Sequence, residues 1–195
     1  MNPLCVDGAR ALRELAEEAA RIGGALARRY FRTDFAVTLK ADRSEVSAAD
    51  HAAQAAIIAY LRSRRPDDAF VTEETQAHTG SAAPPPPAND RVCWIIDPID
   101  GTRNFCRGLP FYACSVAAMF QGYPVAGAIF DPLRNLLYSA GGDPAPALLF
   151  INGAPARPRP MAAIDGVKLN LVVGIPSQPE PAVAAVVHDW LTRYV

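Results

Sequence analysis

Two aspartates follow an apolar run in the stretch VCWIIDPIDGTRNF, which spans residues 92–105. Asp97 and Asp100 lie three positions apart, and a regular strand would send their side chains to opposite faces. Because Pro98 lacks the N–H that a β-ladder requires, we predict that the strand ends at about Asp97. Gly101 supplies the permissive backbone for a turn that brings the two carboxylates together.

Paired carboxylates at a strand end are typical of a cation site. Two clustered carboxylates repel each other unless something neutralises them. Their hard oxygens suit Mg²⁺, which usually keeps several waters and binds substrate phosphate. Thr102 falls where a turn or a helix N-terminus offers free N–H groups, which are natural donors to phosphate. An aspartate-rich turn without a metal is the alternative that this stretch alone leaves open.

Three further acidic residues stand upstream. Glu73 and Glu74 end the predicted strand AFVT, and they are an ordinary solvated pair unless that strand lies beside Asp97. Asp50 follows Ser47 by three positions, as in a capping box, and a pure capping role is its default. A helix N-terminus also holds a carboxylate rigidly, so Asp50 can alternatively face a neighbouring hydroxyl.

The motif spacing argues against other phosphate and metal chemistries. Aspartyl-phosphate phosphatases use D-x-D-G-T, in which the first aspartate is the nucleophile, whereas this sequence has D-x-x-D-G-T. Attack by a water that a metal activates fits this spacing better than attack by Asp97. The sequence has no G-x-x-x-x-G-K-[ST] and no H-E-x-x-H, and its three histidines show no ligand spacing.

The sequence predicts two helices with a short strand and a loop between them, then a run of strands and a last helix. Residues 9–31 predict an amphipathic helix, because apolar side chains recur every three or four positions. A second helix starts near Ser47 and ends at about Arg65, before Pro66. Four consecutive prolines within residues 76–90 predict a surface loop. The apolar positions of the first helix are Leu12, Leu15, Ala19, Ile22, Leu26 and Tyr30. We predict a short strand and a loop in VTLKADRSEV, strands in AFVTEET, VCWIID, FYACSVAAMF, PVAGAIFDP, NLLYSA, ALLFING and LNLVVGI, and a helix over 181–195.

The bulk properties predict a cytoplasmic globular protein. Half of the 195 residues are apolar, which is enough to bury a core. The net charge of −1 gives no field that attracts nucleic acid or an acidic membrane. The four cysteines show no C-x-x-C spacing, which favours a reducing compartment. The sequence has no apolar signal core and no run near the ~20 residues that cross a bilayer.

Several segments of the sequence resemble those of a known family. WIIDPIDGTRNF resembles the signature of the inositol monophosphatase-like family, which comprises magnesium-dependent sugar and polyol phosphatases. EVSAAD is similar to that family's segment ending in a catalytic aspartate, and VTEET is similar to its Glu-Glu metal motif. AIFDPLRNLLYSA and LLFINGAPARP resemble the strands and turn that follow, and the resemblance extends from about residue 10 onward. It implies an α/β fold, a layered α-β sandwich of the inositol monophosphatase/fructose-1,6-bisphosphatase type.

The resemblance also implies a metal site with Mg²⁺ as the cofactor. Glu73 and Asp97 would ligate a first Mg²⁺ together with the backbone carbonyl of Ile99. Asp97 would bridge to a second Mg²⁺ that Asp100 also ligates. Glu74 would stabilise these ligands without binding a metal itself.

A second set of implied roles concerns the substrate, a small-molecule phosphate ester. Gly101 and Thr102 would hold the phosphate through backbone N–H groups. Thr102 and Asp50 would orient the attacking water, which makes them catalytic together with Glu73. Lys40 would be a nearby basic residue of the pocket.

The resemblance further predicts two lobes. Residues 1–150 would form an N-terminal α+β lobe with the metal and phosphate site, and residues 151–195 the start of a truncated C-terminal α/β lobe. The family carries a W-D motif whose aspartate completes the second metal site, whereas HDWL near residue 190 has these letters in another order and place. We therefore expect an incomplete second lobe, and weak or no activity from these 195 residues alone.

Hydrolysis of an inositol, sugar or polyol monophosphate is the leading expectation, with a homodimer for the intact protein. One alternative is a catalytically impaired or non-catalytic fragment, or a binding protein of the same fold. Another is a phosphatase for a nucleotide bisphosphate, a fructose bisphosphate or histidinol phosphate.

Overall fold

A computed structural model describes residues 6–39, 45–72, 91–141 and 149–156. All of them belong to one compact unit, Met1–Arg157. Several predicted features lie outside the described residues: the loop within 76–90, the strand LNLVVGI, the helix over 181–195, and the site residues Lys40, Glu73 and Glu74.

The described residues form helices and strands in the predicted order. The helices are α1 (Val6–Tyr30), α2 (Ala48–Arg64) and α3 (Thr102–Cys106). The strands are β1 (Val37–Leu39), β2 (Glu45–Ser47), β3 (Ala69–Thr72), β4 (Val92–Asp100), β5 (Ala113–Phe120), β6 (Tyr123–Asp131), β7 (Leu136–Gly141), β8 (Leu149–Ile151) and β9 (Ala154–Ala156). The strands β2 and β9 and the short helix α3 are elements that the sequence pattern did not predict.

Local signals fix both ends of α2, as predicted. Ser47 caps its N-terminus in extended geometry, and a capping box joins Ser47 to Asp50. At the other end the N–H of Arg65 donates to the carbonyl of Leu61, and Pro66 follows. The chain therefore enters and leaves this helix at defined points, and Asp50 lies in its first turn.

The main sheet is mixed, which confirms the predicted fold class. Its seven strands lie in the order β3-β4-β5-β6-β7-β8-β9. β3 and β4 are parallel, and every pair after them is antiparallel. Along β5 the side chains alternate between buried and half-buried, so one face of the sheet carries the core.

The helix α1 packs on that face through small residues. Ala16, Ala19 and Ala20 are fully buried in a core cluster that also contains Ile57 of α2 and Val116 of β5. Of the larger side chains that the periodicity favoured, Leu12 is buried in the core. The others are only partly buried: Leu15, Ile22, Leu26 and Tyr30. The small residues allow the helix backbone to lie close to its neighbours.

The sheet continues past residue 150. β8 and β9 form its last two strands, and β8 itself crosses that position. The division into lobes at 150 stays a prediction. Within the described ranges, no helix combines the length and the apolar character that a membrane span requires.

Gly23 provides a test of the close packing of α1. A Cβ at this buried position would lie 2.5 Å from Cδ1 of Ile57 and 2.7 Å from Sγ of Cys114, both in the core. Gly23→Val should therefore reduce the free energy of unfolding by ~1–3 kcal/mol through overpacking. The matched control is Ala25→Val, which adds a branched side chain at an exposed position of the same helix. Equal urea midpoints for the two variants would contradict the packing described here.

Candidate functional site

A β-bulge lies at the end of β4, where we had predicted a strand end. Asp97 pairs with Ser115 and Asp100 pairs with Ala113, so two residues of β4 oppose only Cys114. The predicted end at Asp97 is therefore wrong: the strand runs on to Asp100. Pro98 is tolerated because a bulge leaves a residue outside the ladder.

The bulge also changes which way the two aspartates face. Without it, residues three apart lie on opposite faces of a strand. The extra residue in β4 cancels this effect. Ser115 and Ala113, which pair with Asp97 and Asp100, are two apart and therefore share a face of β5. Asp97 and Asp100 are thereby brought to one face by an irregular strand, not by a turn between them.

Gly101 makes the turn that follows. Its φ is +92°, in the left-handed region, and it forms the N-cap of α3. A Cβ here would lie 2.8 Å from the carbonyl oxygen of Phe111, so both conformation and space require glycine. Thr102 consequently occupies the first position of α3, so of the two placements that the sequence left open, a turn or a helix N-terminus, the structure shows the second.

The hydroxyl of Thr102 meets the carboxylate of Asp50 from another part of the chain. Thr102 Oγ1 lies 3.3 Å from Oδ1 of Asp50 and 2.8 Å from the carbonyl oxygen of Ile99. A threonine hydroxyl has one proton, so it donates to one of these acceptors at a time. The structure thus brings together three of the predicted site residues.

The two oxygens of Asp50 have different partners. Oδ2 accepts the backbone N–H of Ser47 at 2.8 Å and its hydroxyl at 2.5 Å, while Oδ1 faces Thr102. The capping role and the hydroxyl-facing role, which the sequence left as alternatives, are therefore both present. Ser47 was not among the predicted site residues, although the S-x-x-D spacing signals it.

Burial governs the charge of Asp50, which is 1% exposed. Loss of solvent raises the pKa of its carboxyl above the ordinary value, although hydrogen bonds from Ser47 and Thr102 act in the opposite direction. A carboxylate with a raised pKa is a better proton acceptor than a solvated one.

A second core cluster lies beneath these residues and joins four elements. It contains Ala27 of α1, Ala49 of α2, Ile99 of β4, Phe105 of α3, and Tyr112. The ring of Phe105 lies 4.9 Å from that of Tyr112 in an edge-on arrangement. This packing holds the start of α2 against the end of β4, which is where Asp50 meets Thr102.

Only part of the predicted metal site lies within the described residues. No group of three acidic, histidine or cysteine residues suited to a metal ion occurs within the described ranges. The oxygens of Asp97 and Asp100 and the Ile99 carbonyl are of the kind that Mg²⁺ prefers. Thr72, the last described residue of β3, pairs in parallel with Ile96, which directly precedes Asp97.

The fold and the site define a layered α/β protein with two aspartates at the end of β4. The chain belongs to the inositol monophosphatase family, whose model matches residues 9–161. This confirms the resemblance on which the predicted roles rest and supports a phosphatase-like hydrolase in general.

Similar proteins include curated relatives and solved structures. A Nus factor SuhB of Pasteurella multocida is 36% identical over 141 residues, which cover 72% of this chain and 48% of the relative. An inositol-1-monophosphatase of Mesorhizobium japonicum is 36% identical over 129 residues, covering 66% and 46%. The crystal structure of the extragenic suppressor protein SuhB from Bartonella henselae has a TM-score of 0.63 at 32% identity, covering 75% and 54%. The chain spans about half the length of the curated relatives it matches.

The raised pKa of Asp50 predicts how stability depends on pH. The folded state holds this proton more tightly than the unfolded state, so the contribution of Asp50 to stability falls as pH rises through the folded pKa. Asp50→Asn lacks this titration. In urea unfolding with EDTA, the stability of the wild type relative to Asp50→Asn should decrease from about pH 4 towards pH 7. A difference that stays constant or grows with pH would contradict the effect of burial.

Proposed function

We propose that the intact protein hydrolyses a phosphomonoester, inositol monophosphate or a related sugar or polyol phosphate, with Mg²⁺ as cofactor. The observation that carries the proposal is the 3.3 Å approach of the Thr102 hydroxyl to the buried Asp50 carboxylate, beside a strand end with two aspartates. Membership of the inositol monophosphatase family and the relative named inositol-1-monophosphatase support it.

Glu73, Asp97, Asp100 and the Ile99 carbonyl would hold the metal. Their oxygens suit Mg²⁺, and the parallel register of Thr72 with Ile96 supports a role for Glu73, the next residue in sequence. A divalent cation bound by this set supplies Lewis acidity towards the phosphoryl oxygens.

The residues of this chain then position the attacking water. When Thr102 donates its proton to Oδ1 of Asp50, the lone pairs of its oxygen are free to accept a hydrogen bond from that water. The burial that makes Asp50 more basic strengthens this arrangement. The N–H groups of Gly101 and Thr102, at the N-terminus of α3, would bind the phosphate oxygens.

Removing the Thr102 hydroxyl tests the role assigned to it. Thr102→Ala keeps the backbone N–H groups and all the carboxylates, so KM should change little while kcat falls ~10²–10⁴-fold. Thr102→Ser, which keeps the hydroxyl, is the matched control and should retain most of kcat. The measurement is phosphate release from inositol 1-phosphate across a Mg²⁺ titration, in the version of the protein that is active.

Asp97→Asn separates this role from metal binding. Because it weakens a proposed ligand, its activity should recover in part at high Mg²⁺, whereas that of Thr102→Ala should not. If excess Mg²⁺ rescues Thr102→Ala, then Thr102 supports the metal site and its assignment to the water is wrong.

A second candidate is a protein that keeps the fold for partner contacts without catalysis. Several of the matched curated relatives are named Nus factor SuhB, and the chain spans about half their length. A calorimetric Mg²⁺ titration in the presence of phosphate distinguishes the two candidates. No binding by the wild type, or binding that Asp97→Asn leaves unchanged, would favour this second candidate.

A further inference from the structure

A closed ring of hydrogen bonds links Ser47 to Asp50. The hydroxyl of Ser47 accepts the backbone N–H of Asp50 at 3.4 Å and donates its own proton to Oδ2 of Asp50 at 2.5 Å. An ionised carboxylate can only accept, so the hydroxyl gives its single proton to Oδ2 while one of its two lone pairs accepts the N–H. With the Ser47 N–H as a second donor to the same oxygen, the carboxylate plane is fixed and Oδ1 is directed at Thr102.

The backbone of Ser47 is itself fixed by the small β1-β2 sheet. Ser47 pairs with Val37 across that sheet, and the N–H of Ala48 donates to the carbonyl of Ala36 at 3.1 Å. Ser47 and Asp50 are each only 1% exposed. Water therefore does not readily replace the Ser47 hydroxyl if it is removed.

We propose that Ser47 is a positioning residue of the site, whose hydroxyl orients the Asp50 carboxylate so that Oδ1 engages Thr102. The inference deepens the proposed hydrolytic function and rests on it. A helix cap needs only an acceptor for the N–H of Asp50, whereas the donation to Oδ2 serves the carboxylate. This second bond is what distinguishes a positioning role from capping.

The test uses variants that separate the two roles. Ser47→Gly removes the hydroxyl but leaves a residue that is itself accepted at helix N-caps. Ser47→Thr keeps the hydroxyl. Ala55→Gly, at an exposed position in the middle of α2, lowers helix stability without touching the cap and serves as the control.

The first measurement needs no catalytic activity. Urea unfolding of the 195-residue chain is compared for Ser47→Gly, Thr102→Val and the double variant. If Ser47 fixes Asp50 towards Thr102, losing the Thr102 hydroxyl should matter less once Ser47 is glycine, so the two effects should not add. The pair Ala55→Gly and Thr102→Val should be additive. Additive effects for both pairs would overturn the proposal.

The second measurement is the kinetics of inositol 1-phosphate hydrolysis in the active version of the protein. Ser47→Gly should lower kcat roughly tenfold or more with KM nearly unchanged, while Ser47→Thr and Ala55→Gly retain activity. In an Asp50→Asn background, Ser47→Gly should have no further effect. Full kcat in Ser47→Gly would overturn the proposal. Absence of turnover in the wild type, with non-additive unfolding, would reject the hydrolytic function but support the linkage of Ser47 to Thr102.

Discussion

One extra residue in β4 is the constraint on which the site depends. Pro98 and Ile99 together oppose a single residue of β5, and this brings both aspartates to one face of the sheet. The same bulge lets the Ile99 side chain join the buried cluster around Phe105, while its carbonyl oxygen lies 2.8 Å from the Thr102 hydroxyl as one of that hydroxyl's two acceptors. Burying an isoleucine or phenylalanine side chain, as at Ile99 and Phe105, stabilises a fold by ~1.5–3 kcal/mol. Core packing and site geometry are therefore set by the same short segment.

Elements with local signals were predictable, and those that depend on partners were not. The capping serine at position 47 and Pro66 defined α2 closely, because caps and prolines act within one turn. β2 and β9 are three residues long, and a pairing partner defines them more than their own sequences do. The buried face of α1 was only partly predicted, since the tight approach to α2 and the sheet selects Ala16 and Ala20 over larger neighbours.

For the site, residue types were readable from the sequence and their geometry was not. The spacing of Asp97, Asp100 and Gly101 identified them as candidate site residues. A bulge has no simple sequence signature, so Pro98 was interpreted as a strand end. The approach of Asp50 to Thr102 spans 52 positions and followed only from the family resemblance. Periodicity and propensity describe neighbours in sequence, so they carry no information about such a contact.

The order of the strands has a consequence for synthesis on the ribosome. From β5 onward each strand pairs antiparallel with the one made just before it, so the sheet can grow by adding hairpins as the chain emerges. The helix α1 is made first, yet β5 and β6, which with α2 are its main partners, are made much later. Residues 31–112 separate α1 from β5, which takes roughly 4–16 seconds at ~5–20 residues per second. During that interval α2 is its only large neighbour within the described ranges, so the nascent helical pair carries uncovered apolar surface that chaperones can bind.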